Sequence, residues 1–348
     1  MIEKVINVGI AGYGYSAKVF HIPFLKDNPR FSVKKIYSRR VNFSEIEEAN
    51  CQMVHSFDEL LSQDIDLVVI CTPNTSHYEL AKEAIEAGKN VIVEKPLCTK
   101  SKEAIELKQL AEKYDVKITA YQNRRLDGPF LTAKQVIDSG ELGEIKVYEA
   151  SFDRFVSGKN KKEWKNEKVE GVNILYDLGT HLIDQAILLW GKPNEVYADV
   201  EHQRAETPDF DAFELVLYYS NKKVILRAGE LVADEPPHIV VRGTQGSFVK
   251  FGRDVQEGQL CQGKSNVSEH WGEDDKEKYG KIYLKHDANM TITEVKTLPG
   301  NYGKFYENFY DVITGVDTQF VDITDSILVL EIIEAALKSA REKKRIKI

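Results

Sequence analysis

Cysteine is scarce in this sequence. The four residues are Cys51, Cys71, Cys98 and Cys261, and no two form a C-x-x-C pair. That pattern argues against a disulfide framework and a structural zinc cluster, and it reads as buried free thiols in a reducing cytosol. Long apolar runs are also missing. None approaches the roughly 18 residues of a membrane-spanning helix. Excess positive charge is absent, because 47 basic residues face 55 acidic ones and the formal net charge is −8. Nonspecific binding to nucleic acid or anionic lipid is therefore disfavoured. Internal repeats and low-complexity tracts are not found. The first apolar run opens at Val5, which leaves no room for a signal peptide, so the expected location is the cytoplasm.

What is present begins with that run. Val5 to Ala11 leads into Gly12-Tyr-Gly14-Tyr-Ser-Ala17, a Gly-x-Gly-x-x-Ala pattern between an expected strand and an expected helix over 18–27. Gly12 would permit the tight turn, Gly14 would let the backbone approach a pyrophosphate, and Ala17 would let helix and strand pack closely. The helix N-terminus then offers free N–H groups to phosphate. Glycines at a turn can also be turn chemistry only, so the context matters. Gly12, Gly14, Tyr15 and Ala17 are assigned to a dinucleotide cofactor.

A chain of 348 residues, 42% of them hydrophobic, suggests two domains with a sizeable core. After the fingerprint, Phe31 to Tyr37 reads as the second strand. Ser38-Arg39-Arg40 follows, with no acid until Glu45. An acid here would accept from a ribose 2′-hydroxyl, whereas guanidinium forks suit a 2′-phosphate. NADP is therefore the expected cofactor, with NAD as the alternative. The competing reading makes both arginines solvated loop charges.

Asp66 to Cys71 is a compact apolar strand ending in Thr72-Pro73-Asn74-Thr-Ser76-His77. Strand ends of this kind lie beside the ligand in open α/β sheets, so Thr72, Pro73, Asn74 and His77 are counted as cofactor residues. Ser76 or Asn74 is the expected cap of a helix over 77–87. Asn90 to Val93 is the next strand, and Glu94-Lys95-Pro96 follows it into the same crevice. After a helix over 101–114 and a strand over 116–121 the rhythm changes. Alternating runs such as Val196-Ala198-Val200, Phe213-Leu215-Leu217 and Val224-Leu226-Ala228 predict a mostly antiparallel sheet. The predicted organisation is a doubly wound parallel domain over 1–122 and an α+β domain over 123–348. Residues 155–176, around Trp164, and 252–280, around Trp271, lack periodicity. Each tryptophan is either a buried anchor or part of a lid.

Tyr176-Asp177-Leu-Gly-Thr-His181-Leu-Ile-Asp184-Gln185 opens an apolar helix that runs to Trp190. Asp177 and His181 are four apart and share a face, and Asp184 roughly joins them. A carboxylate beside an imidazole fixes its tautomer and raises its basicity, which suits a general base near neutral pH. The alternative is a core histidine satisfied by Asp177 or Asp184. No third ligand has metal spacing, and no metal is expected.

The fingerprint, Glu94-Lys95-Pro96 and Asp177 to Asp184, in that order, resemble the family of glucose–fructose oxidoreductase, inositol dehydrogenase and rhizopine-catabolism oxidoreductases (GFO/IDH/MocA). Tyr121-Gln-Asn-Arg-Arg125, Trp164, Trp271-Gly272 and Asn301-Tyr302 are similar to its NADP-dependent scyllo-inositol dehydrogenase branch. The resemblance implies a Rossmann domain, a C-terminal domain with a large open sheet, and a homodimer or homotetramer. It places the catalytic groups on Lys95, Asp177 and His181 and a substrate-side arginine on Arg124. It also implies a cis Lys95–Pro96 bond. Asp153-Arg154-Phe155 departs from the polar strip common in the wider family. Arg154 and Trp164 are counted with Lys95, Arg124, Asp177 and His181 as substrate residues.

The implied reaction is oxidation of a polyol or sugar hydroxyl. His181, held by Asp177, takes the proton, and Lys95 stabilises the alkoxide. Two alternatives remain at this level: a non-catalytic regulator that binds dinucleotide and sugar, and a glycosidase of the same fold that uses the cofactor transiently.

Overall fold

The computed structural model describes residues 4–39, 51–156, 158, 168–169, 171–286 and 289–348. Two compact units divide the chain. The first comprises Met1–Asn123, Gln256–Trp271 and Tyr302–Ile327; the second comprises Arg124–Val255, Gly272–Asn301 and Leu328–Ile348.

Along the first unit run β1 (Ile6–Ala11), α1 (Ile22–Asp27), β2 (Phe31–Tyr37), β3 (Gln52–Val54), α2 (Phe57–Leu60), β4 (Leu67–Ile70), α3 (His77–Glu86), β5 (Asn90–Val93), α4 (Ser101–Tyr114) and β6 (Ile118–Ala120). The sheet order is β3-β2-β1-β4-β5-β6, all parallel. β4 is buried at all four positions, and Val91 to Val93 of β5 are fully buried. That is the signature of central parallel strands covered on both faces. Because β2 and β4 flank β1 on opposite sides, connections leave β1 and β4 in opposite directions. The switch opens a crevice beyond their carboxyl ends.

The second unit holds α5 (Gly128–Asp138), β7 (Ile145–Ser151), α6 (Thr180–Trp190), β8 (Glu195–Glu201), β9 (Ala212–Tyr218), β10 (Lys223–Gly229), β11 (Ile239–Gly243) and β12 (Gly246–Lys250). The chain then returns to the first unit for α7 (Gln256–Cys261). It comes back for β13 (Gly280–His286) and β14 (Asn289–Val295), and forms α8 (Gly303–Ile313) in the first unit. α9 (Ile323–Glu342) and β15 (Ile346–Lys347) follow. The nine-stranded order is β14-β13-β12-β11-β7-β10-β9-β8-β15. Among the described residues of this sheet only β7 and β10 pair in parallel, so the predicted antiparallel character holds with one exception. Val196, Ala198, Leu215, Leu217, Val224 and Leu226 are fully buried, as the period-two pattern requires. Among the described residues no helix is long and apolar enough to cross a membrane.

Several local expectations are corrected. The helix expected over 18–27 is a five-residue π-turn, Ala17–His21, followed by α1. Pro23 accounts for the break: it has no N–H for the Val19 carbonyl, and its ring would strike that carbonyl in regular α geometry. Ile22 N instead bonds Ala17 O. Ser76, at the N-cap of α3, makes no side-chain cap bond. The Ser76 hydroxyl donates to Pro73 O, and Asn74–Ser76 form a 3-10 turn. The stretch 252–280 contains α7 and a short 3-10 turn. Trp271 is buried there against Phe24, with ring centres 6.1 Å apart, which makes it an anchor. The four cysteines form no disulfide, and they are not uniformly buried: Cys261 is exposed.

Candidate active site

In the first unit the chemistry gathers at the carboxyl ends of β1, β4 and β5. Gly12 follows β1 with φ +99°, and a Cβ there would stand 2.8 Å from the Cys71 carbonyl oxygen. Only glycine fits such a conformation and approach. Its N–H donates to Tyr37 O at 2.8 Å, which ties the turn to the end of β2. Around Gly14 no atom lies within 4 Å of a Cβ position, so that side of the loop is open. Ala17 is fully buried. These are the three demands of a bound pyrophosphate, and the residues present fit a dinucleotide. Ser38, half-buried, and Arg39, exposed, follow directly from the tied strand end. Arg40 lies outside the described residues.

The π-turn carries His21 into the interior, where it is fully buried. Its Nε2 lies 3.0 Å from Glu94 Oε1 and its Nδ1 lies 2.5 Å from the Tyr306 hydroxyl. Nε2 donates in the first contact, because a carboxylate only accepts. The Ser16 hydroxyl donates to the same Glu94 oxygen, and Lys95 N donates to Glu94 Oε2 at 3.0 Å. Burial is the largest single influence on Glu94 and raises its pKa. The hydrogen bond and positive potential of His21, the charge of Lys95 and the Ser16 bond outweigh it and hold the carboxyl down to about 2. Glu94 is a fixed anion that ties the fingerprint loop to the turn bearing Lys95.

Tyr15 is 43% exposed, and its hydroxyl donates to Glu257 Oε1 at 3.1 Å and lies 3.3 Å from Cys261 Sγ. Thr72, Pro73 and Asn74 form the turn after β4, with Pro73 exposed. His77, grouped in sequence with the cofactor residues, is placed differently. It is 1% exposed, and both ring nitrogens face backbone carbonyls of the protein. The Lys95–Pro96 bond is cis, and Lys95 is half-buried.

In the second unit the hub is Phe152, just past β7. The Arg124 guanidinium stands 5.0 Å from its ring centre, with Nη1 3.4 Å from Asp127 Oδ2. The His181 and His238 rings lie 6.4 Å and 5.1 Å from it. His181 is 4% exposed, in the first turn of α6. The residues before it do not begin a regular helix. Leu175–Gly179 is a second π-turn, with Thr180 N bonded to Leu175 O. Asp177 sits inside it, half-buried. Single π-turns of this kind concentrate at functional sites, where they re-aim side chains. Both oxygens of Asp184 accept from the Arg125 guanidinium.

His238 Nδ1 lies 2.7 Å from Ser151 O and so carries the proton, while Nε2 is buried without a partner. Burial is the main cause that lowers its pKa to about 4. The Ser151 bond opposes this, and the charges of Lys250, Arg124 and Arg253 reinforce it. Arg154 follows Phe152 by two residues. Its guanidinium pairs with Glu230, which Arg204 also engages, while Asp153 pairs with Arg227 at 3.1 Å. Trp164 lies outside the described residues. Sequence reasoning passed over Arg125, Phe152, His238 and Tyr306. Arg125 had a signal in its adjacency to Arg124; the others had none. Among the described residues no group of three or more His, Cys, Asp or Glu is arranged to hold a metal ion.

A parallel sheet whose first turn is shaped for a dinucleotide, joined to an open-sheet unit, places the chain among nicotinamide-linked oxidoreductases of small molecules. It belongs to the GFO/IDH/MocA family. Residues 6–122 match the oxidoreductase family's NAD-binding Rossmann fold, and residues 134–348 match its C-terminal alpha/beta domain. It is 34% identical to scyllo-inositol 2-dehydrogenase (NADP(+)) IolW of Bacillus subtilis (strain 168), over 98% of this chain and 95% of that protein. It is 35% identical to the uncharacterized oxidoreductase YdgJ of Escherichia coli (strain K12), over 97% of each. The solved structure of the oxidoreductase yvaA from Bacillus subtilis superposes with a TM-score of 0.95 at 34% identity. That match covers 100% of this chain and 99% of the other.

Proposed function

We propose that the protein is an NADP-dependent dehydrogenase acting on a CH–OH group of a polyol or sugar, with a cyclitol such as scyllo-inositol as the first candidate. The observation that carries this reading is in the second unit. His181 stands two residues past the π-turn that holds Asp177, while Arg125 engages both oxygens of Asp184. Asp177, four residues before His181, is the carboxylate assigned here to orient the imidazole. The named activity of the Bacillus subtilis relative supports the substrate class. The absence of an acid after β2, with Arg39 exposed there, supports NADP over NAD.

In this mechanism a bound nicotinamide supplies the two-electron chemistry. His181 Nε2 or Nδ1 removes the hydroxyl proton, and Asp177 stabilises the imidazolium that results. Lys95 presents its ammonium to the alkoxide as charge develops. Arg124, braced on Phe152 and Asp127, holds a further oxygen of the substrate. Arg154 and Trp164 complete the substrate set. The turn residues Thr72, Pro73 and Asn74, with the fingerprint loop, orient the cofactor. The same reading takes the protein as cytoplasmic and as a homodimer or homotetramer.

The test is the rate of reduced-nicotinamide formation from NADP⁺ and from NAD⁺ with scyllo-inositol, myo-inositol and simple aldoses. Turnover of at least one polyol with NADP⁺ preferred is expected. Sugar release without net cofactor change would move the protein to the glycosidase class, and binding without turnover would move it to the regulators.

A further inference from the structure

His77 is a buried titratable group that the proposed reaction leaves unused, and its surroundings assign it a task. It is the first residue of α3 and is 1% exposed. Nδ1 lies 2.8 Å from the Pro96 carbonyl oxygen and Nε2 lies 2.9 Å from the Thr72 carbonyl oxygen. Carbonyl oxygens only accept. A neutral ring donates to one of them, and a doubly protonated ring donates to both. Burial chiefly lowers the ring's pKa, with Lys95 adding to that; the two carbonyls and Glu94 oppose.

The two carbonyls are not arbitrary. Thr72 lies in the turn after β4, and Pro96 follows Lys95 in the turn after β5. On its other side the Lys95 peptide is held by Glu94 Oε2, which accepts the Lys95 N–H at 3.0 Å. The backbone of Lys95 is thus fixed on the N-terminal side by a carboxylate and on the C-terminal side through His77. We propose that His77 is a positioning residue for Lys95, tying the turn after β4 to the turn after β5 so that the ammonium is delivered to the reacting oxygen. This rests on the reading of Lys95 as the group that stabilises the alkoxide. An ammonium in that role tolerates little displacement, since about 1 Å of misplacement costs on the order of 100-fold in rate.

The test compares His77→Phe, His77→Asn and His77→Gln in the full-length protein. Phenylalanine keeps a ring but donates nothing. The asparagine amide occupies roughly the place of Nδ1 and can reach Pro96 O; the glutamine amide occupies roughly the place of Nε2 and can reach Thr72 O. With NADP⁺ and a turned-over polyol, His77→Phe should lower kcat about 30- to 100-fold while KM and the NADP⁺ dissociation constant stay within about threefold. His77→Asn should recover about tenfold of that loss, and His77→Gln less.

A second readout needs no substrate. After reductive ¹³C-methylation, the Lys95 dimethylamino resonance should move in His77→Phe and return toward wild type in His77→Asn. An unmoved Lys95 resonance, or a kcat within about twofold of wild type in His77→Phe, overturns the proposal. If the phenylalanine variant does not fold, identical Lys95 resonances in the Asn and Gln variants overturn it. A wild-type protein inert toward every polyol would instead defeat the proposed activity, and the resonance would still decide the clamp.

Discussion

Arg125 grips both carboxylate oxygens of Asp184, with Nε 2.8 Å from Oδ2 and Nη2 2.7 Å from Oδ1, and each side chain is 1% exposed. The pair joins the 3-10 turn Asn123–Leu126 to the middle of α6. Beside it, Gln185 Nε2 donates to the Arg124 carbonyl at 2.8 Å. Two consequences follow from one contact. The rotation of α6, and with it the aim of His181, is fixed from its buried face. Arg124, next in the chain, is held where its guanidinium rests on Phe152.

A buried bidentate pair is expensive to break from one side, because the surviving charge stays in a dry interior. Asp184→Asn or Arg125→Met alone should each lower unfolding free energy by about 3–5 kcal/mol. The double variant Arg125→Met, Asp184→Leu should recover much of that. Urea unfolding midpoints of the three variants are the measurement. Single variants within about 1 kcal/mol of wild type would show that the pair is not desolvated as the geometry indicates.

Cofactor choice is assigned to the end of β2, held against the fingerprint by the Gly12–Tyr37 hydrogen bond. Arg39→Asp should weaken NADP⁺ binding about 10- to 100-fold, since a charge-assisted bond to phosphate is worth roughly 1.5–3 kcal/mol. NAD⁺ binding should change little or improve. Fluorescence titration with both cofactors distinguishes this from a solvated loop arginine, for which the two dissociation constants would shift together or not at all.

His238 should shape the acid limb of stability. Its folded pKa of about 4 lies below its ordinary value of 6.5. As pH falls below 6.5 the unfolded chain binds a proton that the folded protein refuses until about pH 4. Stability is therefore undiminished above that window and falls within it, by about 3 kcal/mol for this one group. The unfolding free energy of His238→Phe should drop less between pH 7 and pH 4.5 than that of wild type. Parallel pH curves for the two proteins would remove His238 from the account.

Much of the architecture was readable in local pattern. β4 and β5 announce themselves as short apolar runs, and β8, β9 and β10 as alternation. The Gly12 turn is dictated by a conformation and an approach that only glycine permits. What escaped depends on partners far along the chain. His238 reaches Phe152 because β11 registers against β7, with Ile239 opposite Ala150. Asp184 has the right spacing to share a face with His181, yet Arg125 claims it from 59 residues away. The π-turn at Ala17–His21 had a visible cause in Pro23, although helical propensity over 18–27 masked it. Segments 256–271 and 302–327 join the first unit through contacts such as Trp271 with Phe24 and Tyr306 with His21, which no local window reveals.

The central claim is that His181 and Lys95 serve one oxidation of a hydroxyl. Its most direct test is steady-state NADPH formation by His181→Ala and Lys95→Ala, alongside their NADP⁺ dissociation constants. Each variant should lose roughly 10²- to 10⁴-fold in kcat while binding NADP⁺ within about threefold of wild type. Near-normal turnover in both variants would contradict the account.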